Sequence, residues 1–329
     1  MPRHVTVITP CYNEAGNVEP LRERIRAVFD GLPGYRHTHL FIDNASSDDT
    51  VARIKAMAQM DPDIRLIVNQ RNFGHIRSPY HAFLQAEGDA VIVMVSDLQD
   101  PPELIPEFLA LWEAGAPVVL GVKTSSSESW LMYRLRTLYY DTLQRLAGVK
   151  LLQHATGFGC YDRRVVEELR KLPDALPYVR GLIAELGFPI KTIPFHQAPR
   201  PWGFTKNNFY TLYDLAMLGF TTHSRVPLRL AIFTGFLVAG FSFCVALVYL
   251  VAKLILWNNF PNIGQAPTVV GLFFLGGVQL IFTGILGEYI GAIHTQVLRR
   301  PFVVEKERVG FPVDDAREAR VLPVTERVT

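Results

Sequence analysis

Cysteine is scarce in this sequence, and its three copies, Cys11, Cys160 and Cys244, lie far apart. The chain has no CxxC pair and no cluster of cysteine with histidine. These absences exclude a disulfide framework and a structural zinc site from the expected architecture. A reducing, cytosolic environment is therefore expected for the first part of the chain.

An excess of one charge is also lacking, because 33 Lys and Arg face 31 Asp and Glu for a formal net charge of +2. This balance argues against a nucleic-acid partner, which would require a concentrated basic surface. The first thirty residues, which include Glu14 and Glu19, lack a signal-peptide pattern. No internal repeat or low-complexity segment is present.

Long apolar runs, in contrast, are present near the C-terminus. Hydrophobic residues make up 49% of the chain. Leu230–Ala252 and Ala266–Gly287 carry no charge, and each has roughly the ~20 residues needed to cross a bilayer. One such run can be a buried core helix, but two in succession around a Pro- and Asn-containing turn predict a transmembrane hairpin.

The charges around these runs predict the orientation of the hairpin. Arg225 and Arg229 precede the first run, Arg299 and Arg300 follow the second, and the loop between them has no charge beyond Lys253. The positive-inside rule then places both termini in the cytoplasm of a multi-pass inner-membrane protein.

The first 125 residues alternate between short runs rich in Val and Ile and amphipathic stretches, which predicts βαβ units and a mostly parallel sheet flanked by helices. The expected strands are His4–Pro10, His39–Asp43, Ile64–Asn69, Ala90–Val95, Pro117–Val122 and Ile190–Phe195. The expected helices include Val18–Phe29, Thr50–Met60, Pro79–Ala86, Leu104–Glu113, Val165–Leu172 and Val179–Gly187, whereas Gly157–Tyr161 reads as less regular.

We expect four regions along the chain. They are a cytoplasmic catalytic domain (1–206), a juxtamembrane amphipathic helix (207–228), two transmembrane helices (229–292, with helices at about 229–253 and 266–290) and a cytoplasmic tail (293–329). The apolar stripe from Phe209 to Phe220 suits a helix lying in the membrane interface. A helix packed on the protein's own core explains the stripe equally well.

Three polar loops follow predicted strands and therefore lie at one edge of the sheet, where ligands of such sheets bind. They begin at Pro10, Asp43 and Asp97 and contain several carboxylates. If the ligand carries a diphosphate, these carboxylates require a divalent cation such as Mg²⁺ or Mn²⁺ between them. Each loop also has a structural interpretation, since Asp48 can cap the helix that starts at Thr50 and Asp97 can be a turn residue.

The motifs in these loops resemble those of family 2 glycosyltransferases with the GT-A fold, in the branch that acts on dolichyl or undecaprenyl phosphate. The resemblance covers residues 4 to about 304. The motifs are Pro10-x-Tyr12-Asn13-Glu14, Asp43 with Ser46-Ser47-Asp48-Asp49-Thr50, Asp97-Leu98-Gln99-Asp100-Pro101-Pro102-Glu103, Arg200-x-x-Gly203-x-Thr205-Lys206, and Gly287-Glu288-Tyr289-Ile290-Gly291 before Arg299-Arg300-Pro301.

The resemblance implies a role for each motif. Asp43 would contact the uracil or ribose of a UDP-sugar donor, and Glu14 with Pro10, Tyr12 and Asn13 would shape the nucleotide pocket. Asp97, which also belongs to the nucleotide site, and Gln99 would hold the metal and act in catalysis together with Arg200. The residues expected to bind phosphate are Arg200, Thr205 and Lys206, with Arg134 and Arg136 as candidates for the phosphate of the acceptor.

The sequence departs from the family pattern at four positions. Val95 and Asn44 stand where relatives usually have aspartate, Lys123 where many have arginine, and Phe158 where a carboxylate is often proposed as the catalytic base. A base is needed when a hydroxyl attacks, but a phosphate monoester with a second pKa of about 6 is already ionised. The missing carboxylate therefore favours a phosphate acceptor.

These observations predict an inverting, metal-dependent transfer of sugar to a polyprenyl phosphate such as undecaprenyl phosphate, for a cell-envelope glycan or lipid. Two alternatives remain: a hydroxyl acceptor, or a degenerate nucleotide-sugar-binding membrane scaffold. Apolar helices that contain several glycines also allow a homo-oligomer.

Overall fold

The computed structural model describes residues 2–123, 155–172, 177, 179–197, 226–255, 266–298 and 301–312. Apart from two long helices, the described residues form an eight-stranded mixed sheet with helices on both faces. The strands are β1 (Arg3–Cys11), β2 (Tyr35–Asp43), β3 (Ile64–Asn69), β4 (Ala90–Val93), β5 (Val118–Lys123), β6 (Ala155–Asp162), β7 (Ile190–Phe195) and β8 (Glu305–Val309).

Six shorter helices and two long ones belong to the described residues. They are α1 (Val18–Asp30), α2 (Thr50–Met60), α3 (Gly74–Gln85), α4 (Ile105–Glu113), α5 (Arg163–Arg170), α6 (Val179–Glu185), α7 (Val226–Ile255) and α8 (Ala266–Val297). A short 3₁₀ turn, Pro102–Leu104, precedes α4. Buried side chains of α1 and α4 pack on one face of the sheet, and those of α3, α5 and α6 pack on the other.

The strand order β7-β5-β6-β4-β1-β2-β3-β8 reverses at β1, and this reversal positions the site. From β1 the chain builds outward through β2 and β3, and then returns to place β4 on the other side of β1. Parallel sheets bind ligands in the crevice beyond the carboxyl ends of the strands at such a reversal. The loops after β1 and β4 border this crevice.

The predicted fold class is confirmed, and Ile64–Asn69, Thr50–Met60 and Ile190–Phe195 have the bounds expected from the sequence. The expectation of irregular structure at Gly157–Tyr161 is wrong, because these residues belong to β6, which pairs antiparallel with β4 and β5. The expected helix at Pro79 begins five residues earlier, at Gly74, with Pro79 inside it.

The predicted membrane segments correspond to the two long helices, which extend beyond the expected bounds. Leu228–Ile255 and Thr268–Val297 have mean hydropathies of 2.3 and 2.2 and are long and apolar enough to cross a bilayer. Many of their large apolar side chains are exposed, as expected for helices that contact lipid rather than a protein core. The position expected for the start of the tail, residue 293, lies inside α8, and residues 305–309 join the sheet as β8.

Candidate functional site

The loops after β1 and β2 are held together by side chains that accept backbone N–H groups. Asn13 N–H donates to Ser46 Oγ at 2.9 Å, and Ser47 N–H donates back to Asn13 Oδ1 at 2.8 Å. Glu14 N–H donates to Thr50 Oγ1 at 2.9 Å. Reciprocal bonds of this kind fix the relative position of the first two acid-containing motifs.

Asp48 completes this connection. Its carboxylate accepts the N–H of Ala15 at 3.2 Å and both the N–H and hydroxyl of Thr50, at 3.1 and 2.5 Å. The N-cap of α2 is Asp49, one residue later than predicted, and it makes no side-chain capping bond. Asp48 nevertheless satisfies an N–H of the first turn of α2 and joins that turn to the loop after β1.

Asp43 lies inside the second loop with no exposed surface. Its carboxylate accepts the N–H of Ser46 at 2.9 Å and also the Ser46 hydroxyl. Burial raises the pKa of Asp43, and its bonds to Ser46 oppose that rise. Asp43 therefore shapes the loop from within, and its predicted contact with the donor nucleotide stays a prediction.

The third motif follows β4 and contains two buried carboxylates. Asp97 is 6% exposed and Asp100 is 2% exposed. Asp97 Oδ1 accepts the N–H of Gln99 at 3.2 Å, and Asp100 Oδ2 accepts the N–H of Val95 at the same distance. Burial raises the pKa of Asp100 to about 7, and the negative charge of Asp97 adds to the effect. Extra positive charge at this loop would favour the ionised form of Asp100.

The third loop lies against Cys11 at the end of β1. The Cys11 thiol donates to the Thr9 carbonyl at 3.6 Å, and Ser96 of the third loop is close enough to lower the pKa of this thiol. Burial and the negative charges of Asp43 and Glu14 outweigh that effect and raise the pKa. On the far side of the loop, Arg24 of α1 makes a two-point contact with Glu103, at 3.0 and 2.7 Å. The three motifs thus form one connected rim around the crevice.

Each of the three loops contains one non-glycine residue in the left-handed backbone region. These are Asn13 at φ 58°, Ala45 at φ 62° and Leu98 at φ 57°, and they are the only such residues in the described part of the chain. This conformation costs free energy in non-glycine residues and is concentrated at ligand sites. The coincidence with the three predicted motifs supports a functional rim.

Sequence reasoning missed the role of Asn44, which is 7% exposed and connects three segments. Its amide NH₂ donates to Asn72 Oδ1 at 2.8 Å and to the Gly74 carbonyl at 3.1 Å. Its carbonyl oxygen accepts from the Phe73 N–H and from Asn69 Nδ2, at 2.9 and 3.2 Å. An ionised aspartate has no N–H group to donate to Asn72 Oδ1 or to the Gly74 carbonyl. These hydrogen bonds therefore explain why asparagine stands at position 44.

Phe158 faces the core and not the crevice. It is 1% exposed and packs edge-to-face on Phe108 and Phe195, with ring centroids 4.8 and 5.5 Å away. The neighbouring Gly159 has no room for a side chain, because a Cβ atom would lie 2.2 Å from the Val119 carbonyl oxygen. Position 158 therefore belongs to the hydrophobic core and supplies no carboxylate to the crevice.

The structure brings the described site residues Pro10, Tyr12, Asn13, Glu14, Asp43, Asp97 and Gln99 to the carboxyl edge of the sheet. The other predicted site residues, Arg134, Arg136, Arg200, Thr205 and Lys206, lie outside the described residues, as does most of the expected amphipathic helix (207–225).

Comparison with known proteins identifies the family. The model of glycosyl transferase family 2 matches residues 6–170. The chain is 32% identical over 310 residues to the SfII prophage-derived bactoprenol glucosyl transferase of Shigella flexneri, covering 94% of this chain and 99% of that protein. It is also 32% identical over 327 residues to the putative glycosyltransferase CsbB of Bacillus subtilis, covering 99% and 98% of the two chains.

Among solved structures, glucosyl-3-phosphoglycerate synthase from Mycobacterium tuberculosis, in complex with Mn²⁺, UDP and phosphoglyceric acid, matches with a TM-score of 0.50. The match covers 67% of this chain and 77% of that one, and at 19% identity it is informative about the fold alone. The connected rim and the sheet reversal are consistent with the fold of these proteins. By its family-model match and its full-length relatives, the chain belongs to glycosyl transferase family 2, as a glycosyltransferase with a GT-A catalytic fold.

Proposed function

We propose that this enzyme transfers a sugar, with inversion, from a UDP-sugar to a polyprenyl phosphate such as undecaprenyl phosphate at the cytoplasmic face of the membrane. The names of the full-length relatives, among them bactoprenol glucosyl transferases, support the lipid acceptor. The donor site is the crevice bordered by the loops that contain Glu14, Asp43 and Asp97.

The strongest structural support for this proposal is the short connection between the second apolar helix and the sheet. α8 ends at Val297 and β8 begins at Glu305, so residues 298–304 span at most about 28 Å when extended. β8 enters the sheet at the carboxyl end of β3, where Asn69 pairs with Glu305. The edge that holds the donor loops is therefore the edge at which the chain leaves the membrane helix.

The residues after β4 suit a divalent cation. Asp97 and Gln99 offer the oxygen ligands that Mg²⁺ and Mn²⁺ prefer, and Mg²⁺ in such sites takes one or two carboxylates together with substrate phosphates. Among the described residues no group of three His, Cys, Asp or Glu is arranged to hold a metal, and a site that shares its ligands with a diphosphate needs no such group. When bound, the cation would stabilise the charge on the departing diphosphate.

The residues of the chain then have separate roles. Pro10, Tyr12, Asn13 and Glu14 hold the nucleotide, while Arg200, Thr205 and Lys206 bind phosphate. Arg134 and Arg136 are the candidates for the phosphate of the lipid. An oxygen of that phosphate attacks the anomeric carbon of the sugar, the bond to the β-phosphate of UDP breaks, and UDP leaves with the electron pair.

This reaction needs no general base. A phosphate monoester is mostly dianionic at neutral pH, because its second pKa is about 6. The apolar surroundings of Phe158 are compatible with such an acceptor, whereas a sugar hydroxyl would gain about 10²–10⁴ in rate from a base.

The two apolar helices, α7 and α8, are proposed to span the membrane as a hairpin with both chain ends in the cytoplasm, which gives the region boundaries 1–206, 207–228, 229–292 and 293–329. Homo-oligomer formation through these helices is also a proposal. A Cβ atom added at their glycines 235, 240, 276, 277 and 284 would meet nothing within 4 Å, which leaves room for a neighbouring helix.

The test is a donor screen with purified full-length protein, undecaprenyl phosphate and Mn²⁺, in which radiolabel that moves into the organic phase is counted. Label from one UDP-sugar in the lipid fraction supports the proposal. Transfer only to sugar hydroxyls would favour the hydroxyl acceptor. Donor binding by calorimetry with no transfer and no hydrolysis would favour the degenerate scaffold.

A further inference from the structure

A second cavity, separate from the donor crevice, lies where the catalytic part meets the end of α8. Its volume is about 600 Å³. It is bordered by the β3–α3 loop, the first turns of α3, the last turn of α8 and the segment that leads into β8. We propose that this junction cavity binds the headgroup phosphate of an anionic phospholipid of the bilayer.

The charge of the lining points to an anion. The cavity is lined by Gln70, Arg71, Phe73, Arg77, His294, Thr295, Leu298, Pro301, Phe302 and Val304, a set that contains two arginines and no carboxylate. Arginine presents several N–H donors in a planar fork that matches phosphate oxygens. Basic pockets beside membrane helices on the cytoplasmic side bind lipid headgroups for this reason.

The two arginines keep donors for a ligand. Arg77 Nε is buried and has no hydrogen-bond partner in the described part of the chain, although a buried charged donor normally has one. Arg71 is stacked over the Phe73 ring at 4.2 Å, and the one hydrogen bond recorded for its side chain goes from Nη1 to the Asn72 carbonyl. Neither arginine makes an ion pair with an acidic residue in the described chain.

The walls of the cavity are fixed by the fold. Gln70 N–H donates to the Val304 carbonyl at 2.9 Å, which anchors the segment before β8. The ring of Phe302 packs edge-to-face on Tyr80 of α3, with centroids 5.6 Å apart. The junction cavity is thus formed by contacts between the sheet and the chain that leaves the membrane helix.

Two features favour a lipid over free phosphate. α8 has 32 residues and is therefore about 48 Å long, whereas the hydrocarbon layer is about 30 Å thick, so His294 and Leu298 in and beyond its last turn extend into the headgroup layer. Phe73, Leu298 and Phe302 also give the cavity an apolar wall, which suits the glycerol and the first acyl carbons of a lipid.

This inference rests on the proposed membrane anchoring and not on the proposed acceptor. The test is native mass spectrometry of the full-length chain in detergent, titrated with phosphatidylglycerol in the absence of nucleotide sugar. We expect wild type to retain one phosphatidylglycerol molecule, and the Arg71→Gln/Arg77→Gln variant to bind it at least about tenfold more weakly. Phosphatidylcholine should not be retained.

Matched variants separate the site from general effects. Arg26→Gln/Arg36→Gln makes the same change in charge at exposed arginines remote from the cavity and should retain the lipid. Arg71→Lys/Arg77→Lys keeps the positive charge but loses the planar fork, so its affinity should lie between those of wild type and the glutamine variant. Leu298→Glu alters an exposed cavity residue without touching the arginines and should repel the lipid even if the arginine variant folds poorly.

Several results would overturn the inference. The first is that the arginine variant and Leu298→Glu both retain phosphatidylglycerol as well as wild type does. The second is that inorganic phosphate binds as tightly as phosphatidylglycerol. The third is that undecaprenyl phosphate binds through the same arginines in preference to phosphatidylglycerol. Because sugar transfer is measured separately, a failure here and a failure of the proposed reaction are different results.

Discussion

Asn69, the last residue of β3, pairs with Glu305, the first residue of β8, and this pairing joins the donor edge of the sheet to the chain that leaves the second apolar helix. Glu305 is held there by bonds from His81 of α3, at 2.5 Å, and from Arg308. The relation gives the membrane helix a fixed attachment close to the catalytic crevice. The proposed reaction depends on this attachment, because it keeps the crevice close to a lipid phosphate held at the membrane surface.

The attachment of β8 should depend on pH through Glu305. Burial raises the pKa of this carboxyl, but its bonds to Arg308 and His81 outweigh burial and lower the pKa to about 2. A lowered folded-state pKa stabilises the fold above the unfolded value, near 4.5, and that stability is lost as the pH falls towards 2. The thermal midpoint of wild type should therefore fall over this window.

Glu305→Gln should reduce this fall, because the variant has no carboxylate to protonate. Glu23→Gln, at an exposed position on α1, should keep the wild-type dependence. The measurement is the thermal midpoint in detergent between pH 6 and pH 2. Identical profiles for Glu305→Gln and wild type would refute the prediction.

Asp97→Asn should remove the carboxylate proposed to hold the cation. Loss of one group that stabilises transition-state charge costs about 10²–10³ in kcat, and loss of a metal ligand is expected to cost at least this much. The measurement is Mn²⁺-dependent transfer of radiolabel to undecaprenyl phosphate. Asp30→Asn, an exposed carboxylate at the end of α1, should be unaffected, and near-normal turnover by Asp97→Asn would show the metal assignment to be wrong.

Asn44→Asp, which restores the residue more usual in relatives, should destabilise this protein. The new carboxylate cannot donate to Asn72 Oδ1 or to the Gly74 carbonyl, and an unsatisfied buried polar group costs about 1–3 kcal/mol. Asn72→Asp is the matched control, since the recorded side-chain bonds of Asn72 are accepted by its oxygen. Thermal unfolding in detergent compares the two, and equal midpoints would contradict the role given to Asn44.

Phe158→Asp should not create a catalytic base. Its side chain would lie among Phe108 and Phe195, and removal of a large buried aromatic side chain costs about 3–5 kcal/mol even before a charge is buried. We expect a lower thermal midpoint and no new transfer to sugar hydroxyls. Phe158→Leu, an apolar replacement, should lose less stability, and a stable Phe158→Asp enzyme with hydroxyl-acceptor activity would contradict this interpretation.

Much of the catalytic fold could be predicted from the sequence, because the buried parallel strands are apolar and each helix between them has an amphipathic period. β6 was missed because Gly157 and Gly159 lower its strand propensity. Gly159 is needed only because β5 approaches closely, a tertiary contact that the local sequence does not contain. β8 was missed because its four charged residues read as a solvated tail, although charge is common in edge strands.

The candidate site, like the fold, could be predicted from the sequence only in part. Pro10, Asp43 and Asp97 could be found because acidic motifs directly follow apolar strands, and parallel topology brings such positions together. The connections of Asn44 and the junction cavity could not be found, because both depend on segments far apart in the sequence. The cavity combines residues near 70 with residues near 300.

The most direct test of the central claim is the mass of the lipid product. Purified full-length protein is incubated with undecaprenyl phosphate, Mn²⁺ and the UDP-sugar found in the donor screen, and the extracted lipid is analysed by mass spectrometry. The account predicts undecaprenyl phosphate that has gained one glycosyl unit and still contains a single phosphorus atom. Unchanged lipid, or a product with two phosphorus atoms as expected for transfer of a sugar phosphate, would contradict it.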